Sequence, residues 1–227
     1  MAITFRTSTN GSIDGSTTTV TRPSGTTDGD LLVTVLSRNG LDTPNSSPTG
    51  WTQAEGATGP NGTLIYVYWK IASSEPASWD WGWSSNNAGK AWMCARFDGT
   101  HAVSPIGDSN IANAGNTANP SWANGITPPV ANSVLLLAVE AVQNSTLSVT
   151  GVGVTTSDPG GWTSIISSSI GAATPFMLFM SNPRSQVTAT GNSTATLGAS
   201  TADSIACLLS ISPAESTGNA MFLGANF

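Results

Sequence analysis

Gly50-Trp51, Leu64-Ile65-Tyr66-Val67-Tyr68-Trp69, Ser78-Trp79-Asp80-Trp81-Gly82-Trp83 and Ala91-Trp92-Met93-Cys94-Ala95-Arg96-Phe97 form, in that order, the block on which the fold turns. A paler copy follows: Gly161-Trp162, then Phe176-Met177-Leu178-Phe179-Met180, then Ser204-Ile205-Ala206-Cys207-Leu208-Leu209. The Trp pair is 111 residues apart (162 − 51) and the Cys pair 113 (207 − 94). Further upstream, Asp30–Leu36 is answered by Ser133–Val139 at an offset of 103 (133 − 30). Offsets that grow along the chain put the insertions in loops, as a duplicated β unit permits.

Composition points the same way. Of 227 residues only 9% are charged, against roughly 25% in an average globular protein. Eight Trp and regular apolar runs argue for a buried core rather than disorder. Thr- and Val-rich windows favour strands, and the segments that usually build helices are scarce. The net charge of −6, with basic residues scattered singly, gives no electrostatic case for nucleic acid. The first six residues lack the basic start and apolar stretch of a signal peptide. No apolar run approaches the ~20 residues of a membrane span, so no membrane insertion is expected. Each cysteine sits mid-strand, which reads as a buried free thiol suited to a reducing compartment.

Along the chain, residues 3–8 alternate as an edge or half-buried strand before a turn at Asn10-Gly11. Thr17–Thr21 reads as a second strand, and Leu31–Ser37 as a central one. Turns are expected at Gly59-Pro60-Asn61-Gly62 and at Asn86–Gly89. Asn39–Gly50 and Gln143–Gly160 are variable loops, and the Pro-, Asn- and Gly-rich stretch from His101 to Pro120 is the expected junction. The expected architecture is all-β: two tandem, internally duplicated antiparallel β-sandwich units, jelly-roll or Ig-like. Residues 1–104 form the first and 105–213 the second, with 214–227 a C-terminal arm. That arm places Met221, Phe222, Leu223 and Phe227 on a tail. Such a tail either folds back on its own domain or docks on a neighbouring subunit.

No catalytic constellation emerges. The lone His101 stands in a loop, and a triad needs a base, an orienter and a nucleophile that converge. Most acids sit at turns; Asp80, between two Trp, and Glu140, ending an apolar strand, are the least unconvincing hydrolase pair. No calcium-loop or Cys/His metal spacing is present, so no cofactor is expected. Trp79, Trp81 and Trp83 share one face of a strand. They either fill the core between two sheets or, exposed, offer a stacking platform for sugar rings.

The order Gly-Asp-Leu-Leu-Val (Gly29–Val33), Pro-x-Gly-Trp-Thr (Pro48–Thr52), an aromatic strand (Tyr66–Trp69), Glu-Pro-Ala-Ser-Trp (Glu75–Trp79) and a closing strand before Asp98-Gly99 resembles β-sandwich virion proteins of tailed bacteriophages. The resemblance covers residues 29–105 well and the second copy faintly. It implies a non-enzymatic part of a virion, made in the host cytoplasm: a head decoration protein, a head fibre or a tail appendage. The expected partner is the major capsid protein or another virion protein, and the expected assembly a homo-oligomer such as a trimer. The alternative is a tail-fibre or adhesin-like module that binds host glycan through the Trp ladder or through loops 39–50 and 143–160.

Overall fold

The computed structural model describes residues 1–13, 15–40, 42–59, 62–84, 89–115, 117–142, 149–170, 174–197 and 203–215. The first unit contains β1 (Thr4–Ile13), β2 (Thr17–Thr21), β3 (Leu31–Asn39), β4 (Pro44–Ser46), β5 (Thr52–Thr58), β6 (Thr63–Ile71), β7 (Ser78–Trp83) and β8 (Lys90–Asp98). The second contains β9 (Ile106–Ala114), β10 (Ser121–Trp122), β11 (Ser133–Val142), β12 (Val149–Val154), β13 (Thr163–Ile170), β14 (Thr174–Arg184), β15 (Ser193–Leu197) and β16 (Asp203–Ile211).

Each unit pairs a five-stranded sheet with a three-stranded one, and the topology is the same in both. The first unit has β1-β8-β3-β6-β5 and β2-β7-β4; the second has β9-β16-β11-β14-β13 and β10-β15-β12. All pairings are antiparallel. Pairs β1:β8, β2:β7 and β3:β6 nest inside one another, the winding of a jelly roll rather than of an Ig domain. β5 alone leaves the nest, hairpinned onto β6.

The two units share a core. Leu31, Val33, Val35, Ile65, Val67, Met93 and Phe97 of the first large sheet pack against Val134, Leu136, Leu178, Ile205, Leu209 and Ile211 of the second. The molecule is thus a four-layer stack, small sheet, large sheet, large sheet, small sheet. This explains why the central strands β3 and β11 read as continuous apolar runs: each is buried on both faces. β1 lies over β13 and β9 over β5, so the large sheets meet about a pseudo-two-fold axis. Their seam carries few polar groups. At one of them Glu140 Oε2 accepts from the Leu64 amide at 2.9 Å.

Alternation on β6 follows the sequence: Ile65, Val67 and Trp69 face the shared core, and Leu64, Tyr66 and Tyr68 face the outer one. Three local expectations need correction. Asn10-Gly11 is no turn, since β1 runs on to Ile13; Gly11 lets Trp92 lie close, and a Cβ there would sit 2.9 Å from the indole. The supposed junction contains β9, an edge strand of the second large sheet, whose Ile111 packs on the shared core and whose Ala112 and Ala114 pack on the outer one. The two cysteines are not equivalent. Leu31 pairs with Phe97 and Val134 with Ile211, which sets the offset of β8 to β16 at 114 (211 − 97). Cys94 therefore faces its own small sheet and Cys207 the other unit, as a one-residue slip requires. Both are free and buried. The turn at Asn86–Gly89 lies largely outside the described residues, as does part of that at Gly59–Gly62.

Candidate functional site

Trp79, Trp81 and Trp83 are 6%, 0% and 4% exposed. They point inward from β7 and fill the space between the first unit's sheets, so the stacking-platform expectation is corrected: no indole face of the ladder is open to a sugar. Trp51 packs edge-on against Trp79 and Trp81, each at 5.1 Å between ring centroids. Lys70 closes one end, 5.9 Å from the Trp51 ring and ion-paired with Glu75 at 2.7 Å. Glu75 also takes the Trp79 Nε1–H at 3.1 Å. Five to seven residues before Trp51, the loop from Asn39 is partly strand, β4, which pairs with β7.

The hydrolase pair does not assemble. Asp80 points to solvent on the outermost sheet, where Thr19 donates to it at 2.7 Å. Glu140 lies in the seam between the large sheets, two layers away. Burial pushes its pKa well up, outweighing the pull of the Leu64 amide and the nearby Ser37 hydroxyl. His101 has a local role: its Nδ1 accepts from the amides of Val103 and Ser104 at 3.2 and 3.0 Å, which places the ring proton on Nε2. Among the described residues no three His, Cys, Asp or Glu side chains gather as a metal site.

Two concave regions stand out among the described residues, and the sequence pointed only to part of the second, through loop 143–160. The first lies where the units join. It is an open groove of about 680 Å³ lined by Met1, His101, Pro129, Val130, Pro183 and Pro213, among others. Two of the exposed large hydrophobics line it, Met1 (87%) and Val130 (42%), and a third, Val103 (78%), is in the adjoining loop. The arm residues Met221, Phe222, Leu223 and Phe227 lie outside the described residues.

The second region lies in the second unit beside Trp162, the counterpart of Trp51. Here β15 presents Ser193, Ala195 and Leu197 inward in place of the Trp ladder. Trp122, opposite Ser193 on β10, restores part of the lost volume and is fully buried. Beside Trp162, which is half-buried, β12, the turn at 158–161, Ser164 and Phe179 line an open groove of about 520 Å³. Asp158 Oδ1 holds the Trp162 Nε1–H at 2.9 Å. Asp158 also borders a smaller polar recess with Ser157, Arg184 and Gln186. Part of one expected glycan loop, residues 149–160, thus forms the wall of a groove. A signal for the exposed indole was in the sequence: the repeat keeps its Trp at 162 and loses the two Trp, Trp79 and Trp81, that pack on Trp51.

The chain matches no protein-family model, and no curated protein or solved structure is similar enough to count as a match. What stands is the fold, two fused jelly rolls, and these two surfaces.

Proposed function

We propose that this chain is a non-enzymatic structural protein of a virion, decorating the capsid exterior through the groove where its two units join. The observation that carries the reading is the concentration of exposed apolar side chains there: Met1 and Val130 in the groove and Val103 beside it. Exposed apolar side chains gathered at one groove are a usual mark of a docking surface. The partner is the major capsid protein or another virion protein, as the phage resemblance implies. A shared core through the seam makes the chain one stiff block, so a contact at the groove would fix the position of both units. Jelly rolls serve in viral shells and in lectins alike, so the winding alone does not choose between these uses.

Cryo-electron microscopy of purified particles tests the reading. Density for the four-layer stack on the shell, groove inward, is the expected result. A Val103→Asp/Val130→Asp chain that folds should fail to coat particles. Particles that lack the chain, or a double variant that still coats them, would refute the proposal.

A further inference from the structure

The groove beside Trp162 has the chemistry of a ligand site, and we propose that it binds a neutral saccharide. Trp51 and Trp162 occupy the same place in the two units, yet only Trp51 is covered. In the first unit Trp79 and Trp81 close over it at 5.1 Å; in the second those inward positions hold Ser193 and Ala195. An indole left half-exposed forgoes apolar burial worth about 25 cal/mol per Å², and nothing in the packing of the second core requires it.

The indole is also held in place. Its Nε1–H donates to Asp158 Oδ1 at 2.9 Å. That carboxylate is fixed in turn by the Gly160 amide at 2.8 Å and the Val154 amide at 3.3 Å. A ring positioned before binding costs little ordering when a ligand arrives. The groove, about 520 Å³, falls within the range of roughly 300–1,000 Å³ that small-ligand sites occupy.

The lining selects the ligand class. Trp162 supplies aromatic surface, with the nearly buried Phe179 at the base, and Thr150, Ser164 and the backbone of glycines supply polar groups along it. A pyranose has this same division, an apolar C–H face and a rim of hydroxyls. A wholly apolar ligand would leave the rim groups without partners. Among the described residues no Lys or Arg lines the groove itself, and Asp158 is the one charged residue that does. Arg184, its electrostatic partner, borders the adjoining recess instead, so the groove offers an anionic sugar or a phosphate no counter-charge of its own. A carboxylate offers about four acceptor sites; three are used here, which leaves capacity for a sugar hydroxyl. The groove is remote in kind from the docking patch: failure of saccharide binding would leave the capsid reading intact, and absence from particles would leave the groove intact.

The test is NMR on the full chain carrying 5-fluorotryptophan, with the Trp162 resonance assigned by Trp162→Phe. Cellohexaose, maltohexaose, chitohexaose and mannohexaose are titrated singly to about 10 mM, ten times the Kd of a weak millimolar complex. Trigalacturonate serves as the charged comparison. At least one neutral oligosaccharide should move the Trp162 resonance and leave that of buried Trp81 in place. Ser164→Trp, at an exposed edge-strand position bordering the groove, fills it while Trp162 itself is kept. It should weaken binding by roughly tenfold or more, the factor equivalent to about 1.4 kcal/mol, with thermal unfolding unchanged. The proposal is overturned if no neutral oligosaccharide moves Trp162, if only trigalacturonate does, or if Ser164→Trp binds as tightly as the parent.

Discussion

Glu140→Gln should make the protein more stable, by an amount that depends on pH. Glu140 is fully buried between the two large sheets. Its Oε2 takes the Leu64 amide, while among the described residues neither Oε1 nor the neighbouring Ser37 Oγ reaches a partner at hydrogen-bond geometry. Burial raises the folded-state pKa well above the ordinary value, so the folded chain keeps the proton after the unfolded chain has lost it. Below the unfolded value of about 4.3 both states are protonated and the stabilising contribution is complete. As pH rises above that, the unfolded state alone gains from ionisation. Stability falls by about 1.36 kcal/mol per pH unit until the folded group itself titrates. Gln is neutral in both states and still accepts from Leu64, and its amide can donate towards Ser37. The stability difference between variant and parent should be within ~1 kcal/mol at pH 4. It should then climb towards a limit of about 3.7 kcal/mol at pH 7, reached while the buried group still holds its proton there. Urea unfolding from pH 4 to pH 9 measures the difference, in which all other titrating groups cancel. A difference that stays flat with pH would refute a buried carboxyl in the seam and, with it, the back-to-back packing of the large sheets.

Three other outcomes follow from the packing. Trp81→Ala removes a fully buried indole from the outer core of the first unit and should cost about 3–5 kcal/mol in urea unfolding; a cost below ~1 kcal/mol would mean the ladder is not core. Cys94, whose thiol burial pushes up to about 12, and Cys207, also raised by burial, should resist a thiol reagent at pH 8 in the native state and both react once unfolded. A thiol that reacts natively would contradict its burial. Residues 1–104 alone expose the face of Leu31, Val33, Val35, Ile65 and Val67, so this fragment should self-associate in sedimentation velocity, and a stable monomer would count against the shared core.

Much of the fold could be read from residues. The all-β class, Thr17–Thr21 as a strand and the alternation of Leu64 to Trp69 depend on local pattern, which is where sequence is informative. The 111-residue Trp offset also agrees with the register, because Thr52 and Thr163 both stand opposite the paired residues Trp69 and Met180. The cysteine match erred by one residue, since similarity of type cannot see which face a side chain takes. The back-to-back packing was implied but not drawn. Leu31–Leu36 and Val134–Val139 are apolar on both faces, and a strand buried on both faces needs a layer on each side. β9 was missed because an edge strand rich in Ser, Asn and Ala carries little hydrophobic signal. The open groove involves part of the expected glycan loop 143–160, but Trp162, Ser164 and Phe179 join that loop in one wall only once the strands have paired.

The pseudo-two-fold shows where the copies have been free to differ. Position for position, Ser37 corresponds to Glu140, at the same offset of 103 (140 − 37) that relates β3 to β11. An exact duplicate would have set two serines or two carboxyls in the seam. Two buried carboxyls there would each be deprived of solvent, whereas one beside a small hydroxyl still leaves room for the contact with Leu64. The outer cores diverge more. Five Trp pack the first; in the second, Trp122 is buried and Trp162 is left along the groove. Because the shared core binds the units into one block, the second need not be stable alone, and its under-filled outer layer draws on the stability of the first. Surplus packing in one copy is what allows an open, incompletely packed surface in the other. The groove beside Trp162 is therefore a consequence of the fusion: a single jelly roll with the same opening would have to support it from its own core.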